Sequence, residues 1–175
     1  MRYTFVKQHD ATDCAAACLA MVCLHYKKET TITQLRDIMG TDLLLNVLKY
    51  RPFLVKPNNH ELGEMFGTVL LSDDDIEKYA RKLQDMGAVN VLVSMAGDGA
   101  MLIDEYGKMH RCGICSGKVK NSVGAGDSMV AGFTAGSLNG DYEYALKLGT
   151  AAGGATAFSD GLATKEKIDE LLKTL

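Results

Sequence analysis

The chain has 175 residues, a formal net charge of −3, 47% hydrophobic residues and 23% charged residues. That length suits about one domain at a prior of ~150 residues, the balance is ordinary for a globular protein, and the mild acidity gives no footprint for nucleic acid. The longest apolar run, Cys14–Leu24, has 11 residues against the ~20 that cross a bilayer; Asp10 and Asp13 precede it instead of a basic segment, so neither a membrane span nor a signal peptide is expected.

The elements follow in order. Asp13–Lys28 reads as a helix with Cys18, Leu19, Val22 and Tyr26 at helical spacing. Thr31–Met39 reads as a second helix, stopped by Gly40. Leu43–Tyr50 is expected as a helix ending before Pro52, Phe53–Lys56 as a buried strand, and Asn58–Phe66 as a short helix closed by Gly67. Asp73–Met86 has an acidic first turn and then Ile76, Tyr79, Ala80 and Leu83 on one face, which predicts an amphipathic helix. Val89–Met95 is an apolar strand, and Ala100–Asp104 with Met109–Ile114 predicts a hairpin around Glu105–Lys108. Gly126–Leu138, Tyr142–Phe158 and Lys165–Leu175 are predicted helices. Strands alternating with helices from Leu43 onward predict an α/β layer with a largely parallel sheet.

Five cysteines at uneven spacing form no secreted-type framework and fit reduced thiols in a cytoplasmic protein. Cys112-Gly-Ile-Cys115 has no second pair and no spaced His set beyond His110, so a strand-and-loop pair accounts for it better than a zinc or redox site.

The stretch Asn121–Phe133, NSVGAGDSMVAGF, is the most informative segment. Gly124 and Gly126 permit a tight turn with bare N–H groups near a ligand. The following helix aims unpaired donors and its positive dipole end at the same spot, which suits phosphate oxygens. Asp127 among those donors suits a general base. Together they suggest phosphoryl transfer from a nucleotide to a hydroxyl. A capping turn with an incidental Asp is the plainer alternative. A P-loop mechanism has no support, because the Gly-x-x-x-x-Gly-Lys-Ser/Thr pattern is absent. Asn58 and Glu61 also form a capping-box pattern at a helix start.

GAGDSMVAGF is similar to the C-terminal signature of the ribokinase-like (PfkB) sugar kinases. KPNNHEL at Lys56–Leu62 resembles that family's Asn-x-x-Glu motif, and NVLVSMAGDGAMLI at Asn90–Ile103 resembles its nucleotide segment. From about Leu43 to Leu175 the chain most resembles the 1-phosphofructokinase branch, then the tagatose-6-phosphate kinase branch. The resemblance implies a ribokinase-like partial sheet flanked by helices. It implies ATP and Mg²⁺ as cofactors, a nucleotide and a sugar phosphate as partners, and ATP-dependent phosphorylation of fructose 1-phosphate or tagatose 6-phosphate. Asp127 is then the base, with the N–H groups of Gly124, Ala125 and Gly126 stabilising the transferring group. Asn58 and Glu61 serve the metal and phosphate, and Ser94, Gly97, Lys56, Asn121 and Ser122 the nucleotide.

The first forty residues read differently. VKQHDATDCAAACLAMVCLHYKK, followed by ITQLRDIMGTD, resembles the start of the papain-like peptidase domain of bacteriocin-exporting ABC transporters. That resemblance implies Gln8 in an oxyanion hole and Cys14 as nucleophile. The family has Gly after the Cys where this chain has Ala15, and the later His and Asp have no counterpart, so Cys14 reads as vestigial. The expectation is a chimaera: residues 1–42 a peptidase fragment, residues 43–175 the nucleotide-binding half of a kinase. With the family's N-terminal half absent, activity is expected to be reduced or lost, and an exposed sheet edge is expected to self-associate. The rival functions are leader-peptide proteolysis and a non-catalytic remnant.

Overall fold

The computed structural model describes residues 41–175. The predicted helices Asp13–Lys28 and Thr31–Met39, together with Gln8 and Cys14, lie outside the described residues. The chain divides into two compact units, Met1–Lys49 and Tyr50–Leu175. Within the first unit the described part is one helix, α1 (Thr41–Leu48). The prediction carried this helix on to Tyr50. Arg51 has a positive φ of 54°, and the residue before a proline is disfavoured in the helical region.

The second unit runs β1 (Leu54–Val55), α2 (Asn59–Met65), α3 (Asp73–Asp85), β2 (Asn90–Ser94), a 3₁₀ turn (Ala96–Asp98), β3 (Ala100–Ile103), β4 (Met109–Cys112), α4 (Ala125–Ser137), α5 (Tyr142–Ala157) and α6 (Lys165–Leu172). The strands form one sheet in the order β1-β2-β3-β4. β1 and β2 run parallel through the α2–α3 crossover, with Leu54 opposite Asn90, whereas β2–β3 and β3–β4 are antiparallel. The expectation of a largely parallel sheet is therefore corrected to a mixed one. The links Met95–Gly99 and Asp104–Lys108 are too short for a parallel crossover, which needs a dozen or more residues.

The starts of α3 and α5 are each capped by a side chain from the residue just before them. Ser72 caps α3, its hydroxyl accepting from the Asp75 N–H, and three aspartates fill the first turn where the dipole favours them. Asp141 caps α5 through the Tyr144 N–H. Ile76, Ala80 and Leu83 form the buried stripe of α3 that the periodicity predicts. On one face of the sheet Leu92, Ala100, Leu102 and Cys112 pack with Met129 and Phe133 of α4 and Tyr142, Ala145 and Leu146 of α5. The pleat turns Val91, Val93, Met101 and Ile103 the other way, and α3 contacts β2 and β3. The result is a three-layer α/β/α arrangement. Phe133 is fully buried at its centre, and truncating such a ring costs about 3–5 kcal/mol.

Helices α4 and α5 touch backbone to backbone. A Cβ at Gly132 would stand 2.8 Å from the Leu148 carbonyl oxygen, and one at Gly149 2.9 Å from that of Met129. Small residues on both helices set the distance at which the N-terminus of α4 meets the end of α5.

Candidate functional site: a cavity at the carboxyl end of the sheet

Parallel strands β1 and β2 end side by side. The Ser94 N–H donates to the Pro57 carbonyl at 3.1 Å, and Asn58 bridges to Ser94. Open α/β sheets place ligands outside these carboxyl ends. Asn58 then caps α2 with a reciprocal capping box. The Glu61 N–H donates to Asn58 Oδ1 at 2.8 Å, and the Asn58 N–H donates to Glu61 Oε2 at 2.7 Å. The capping reading of this pair is thus realised. It engages one carboxylate oxygen of Glu61 and leaves the other.

The Gly-Ala-Gly-Asp turn arrives from the opposite side. Gly124 is the N-cap of α4 at φ 80°, ψ −5°, a left-handed conformation that glycine adopts without strain. The Ala125 N–H donates to the Ser122 carbonyl at 3.2 Å, so that donor is already used within the turn. Gly126 and Asp127 follow in the first turn, where helical N–H groups lack intrahelical partners. Asp127 is exposed there. Lys56 spans the gap: its Nζ lies 3.4 Å from Ser94 Oγ, and a Cβ on Gly126 would be 3.5 Å from the same nitrogen.

Between these groups lies a cavity of about 580 Å³, within the range of small-molecule pockets. Asn58, Ser94, Gly97, Ser122, Ala125 and Gly126 line its polar side. Lys56, Glu61, Gly124 and Asp127 adjoin those residues. Asn121 stands apart from the lining; its Oδ1 accepts from the Val123 N–H at 3.0 Å, and its own N–H donates to the Ala157 carbonyl at 3.1 Å. The far wall is Ile114, Cys115, Val119 and Phe158. Sequence reasoning weighed Cys115 only as half of a Cys-x-x-Cys pair and passed over the other three, because they come from the loop after β4 and the end of α5 and share no spacing.

Cys112 and Cys115 are free and buried. Burial first, and then the neighbouring Cys112, pushes the Cys115 thiol up to about 11; burial likewise raises Cys112. Raised thiols in apolar surroundings are inert, in keeping with the strand-and-loop reading. Among the described residues no cluster of three or more His, Cys, Asp or Glu is placed to hold a metal. Mg²⁺ keeps its waters and needs one or two carboxylates beside substrate phosphates, and the second oxygen of Glu61 fits that requirement.

A sequence model described as pfkB family carbohydrate kinase matches residues 8–169. The chain belongs to that family. It is 50% identical over 137 residues to 1-phosphofructokinase of Bacillus subtilis (strain 168), covering 78% of this chain and 45% of that protein. It is 37% identical over 144 residues to D-tagatose-1-phosphate kinase of Bacillus licheniformis, covering 81% and 47%. The crystal structure of phosphofructokinase-2 from Escherichia coli in complex with substrates and products superposes with a TM-score of 0.71 at 28% identity, covering 78% of this chain and 45% of that one. A crystal structure of a proposed phosphofructokinase from Staphylococcus aureus gives 0.70 at 36% identity, covering 97% and 54%.

The fold is ribokinase-like, a mixed sheet flanked by helices. The chain spans about half the length of the curated relatives it matches. The peptidase resemblance of the first 42 residues finds no support: the kinase-family match begins at residue 8, within that segment. Among the described residues no helix is long and apolar enough to cross a membrane.

Proposed function

We propose that this chain carries the nucleotide half of a sugar-phosphate kinase, with residues 43–175 holding ATP while its terminal phosphoryl group passes to a hydroxyl of fructose 1-phosphate or a tagatose phosphate. One observation carries the reading: the first turn of α4 and the Lys56 ammonium converge on the mouth of one cavity at the carboxyl ends of β1 and β2. Free N–H groups, a helix dipole and a nearby cation form a site for phosphate oxygens. The apolar wall of Ile114, Val119 and Phe158 suits a nucleobase.

In this reading Gly126 and Asp127 offer backbone N–H groups to the transferring phosphoryl, and electrostatic preorganisation lowers the barrier. The Asp127 carboxylate takes the proton of the attacking hydroxyl. Asn58 and Ser94 orient the phosphates, and Gly97 lets the chain approach the nucleotide. Glu61 would hold Mg²⁺ through its water shell, and the cation would neutralise charge on the phosphates. The relatives support the substrate class, and the tagatose relatives are named for the 1-phosphate. Free thiols in a protein of this family support a cytoplasmic setting.

The deciding measurement is thermal unfolding with and without Mg·ATP. A ligand at 100 times its Kd adds about 2.7 kcal/mol, so a rise in Tm with ATP supports the reading. No shift at millimolar nucleotide overturns it. ADP release with fructose 1-phosphate, D-tagatose 1-phosphate, tagatose 6-phosphate or no sugar then selects the acceptor.

Self-association is a second proposal. Among the described strands β1 pairs only with β2, and one relative is described as the tetrameric inhibited form of phosphofructokinase-2 from Escherichia coli. Sedimentation showing a monomer at all concentrations would remove it.

A further inference from the structure

The last turn of α5 holds the phosphate turn from both flanks. Upstream, the Lys120 and Asn121 N–H groups donate to the Ala157 carbonyl at 2.8 and 3.1 Å. Downstream, the Thr156 hydroxyl donates to Ser128 Oγ at 2.8 Å and accepts from the Ala163 N–H at 3.4 Å. Thr156 is buried, with 2% of its surface exposed. Its γ-methyl lies 3.9 Å from where a Cβ on Gly124 would stand. A threonine inside a helix commonly bonds back to its own helix; this one reaches a second helix instead. Ser128 directly follows Asp127, and its N–H donates to the Gly124 carbonyl at 2.9 Å.

We propose that Thr156 is the positioning residue of the phosphate-binding turn: its hydroxyl ties Ser128, and through it Gly126 and Asp127, to the end of α5. The inference rests on the nucleotide reading and goes beyond it by naming what sets the direction of the turn. Small errors of position at such a site are costly in rate and affinity. An apolar isostere at 156 frees the first turn of α4 while leaving the apolar wall of the cavity in place. The loss therefore falls on the phosphates and not on the base.

The experiment measures ATP and adenosine, each displacing a fluorescent ATP analogue from the full chain, in Thr156→Val, Thr156→Ser, Ser128→Ala and the Val/Ala double variant. The expected result is ATP affinity about tenfold weaker in Thr156→Val, adenosine affinity within about twofold, recovery in Thr156→Ser, and a double variant no worse than either single one. Should Thr156→Val fail to fold, Ser128→Ala carries the same test from the other side of the bond. Equal losses for both ligands, or no recovery with Ser, assign Thr156 a merely structural role and overturn the proposal. An unchanged ATP affinity in Thr156→Val and Ser128→Ala overturns it while sparing the nucleotide reading. A parent chain that binds no nucleotide overturns both.

Discussion

Lys56 lies across the first turn of α4 so closely that a Cβ on Gly126 would meet its Cε at 3.4 Å and its Nζ at 3.5 Å. The two residues are far apart along the chain, one just after β1 and one inside α4. Their approach places a mobile cation where the helix offers its free donors.

This contact separates stability from binding. Gly126→Ala is expected to stabilise the protein by about 0.5 kcal/mol, because alanine is the better helix former and the flexible lysine moves aside. The same methyl stands between Lys56 and the donors of the turn, so ATP affinity is expected to fall about tenfold. Thermal unfolding and nucleotide titration on one preparation check both signs. A variant that binds ATP as tightly as the parent removes Gly126 from the site.

Asp127 tests the chemistry. Whatever sugar-dependent ADP release the chain sustains is expected to fall by about 10²–10⁴-fold in Asp127→Ala, the usual contribution of a general base. ATP affinity should change by less than about twofold, because the backbone donors remain. Loss of binding with unchanged turnover per bound nucleotide would reverse the assigned role.

The hairpin between β3 and β4 predicts an acid-sensitive step. Asp104 and His110 are both buried and lie 2.7 Å apart, and Asp104 Oδ1 also accepts from the Tyr106 and Lys108 N–H groups. Burial raises the carboxyl, but the His110 bond and the two backbone bonds outweigh it and hold it below its usual range. A depressed folded value stabilises above the unfolded pKa of about 3.9 and is lost as pH falls through the folded one. Urea denaturation should therefore show stability declining below about pH 4. Asp104→Ala, which takes the acceptor from the His110 ring, is expected to cost about 1–3 kcal/mol near neutrality and to flatten that decline.

Cys115 predicts the opposite edge. Its thiol is raised to about 11, whereas an unfolded cysteine ionises near 8.5. The folded state keeps its proton in that interval, so stability should fall as pH rises from about 8.5 toward 11. Cys115→Ala should soften the fall. At pH 8 alkylation of Cys115 should follow unfolding; rapid labelling of the native protein would place the thiol in contact with solvent.

Several parts of the fold and of the site were legible without coordinates. The Asn58–Glu61 capping box, the α3 stripe of Ile76, Ala80 and Leu83, and the Gly124 turn before a small-residue helix all stand in the sequence, because hydrogen bonds and periodicities of a few residues are written locally. Element ends were less legible. The strand expected at Phe53–Lys56 is Leu54–Val55, and the helix expected at Lys165–Leu175 ends at Leu172, since strand limits depend on the neighbour they pair with.

By itself the sequence determined the order of elements, the Gly-Ala-Gly-Asp turn with its carboxylate, and the kinase kinship. Tertiary structure alone decided that Lys56 lies against Gly126, that Asn121 holds the loop while Ser122 faces the cavity, and that Ile114, Val119 and Phe158 complete it. It also decided that Thr156 reaches Ser128. The reason is physical: Lys56 and Gly126, like Thr156 and Ser128, are distant along the chain, and the second pair meets because Gly132 and Gly149 let α4 and α5 pack backbone to backbone over one face of the sheet.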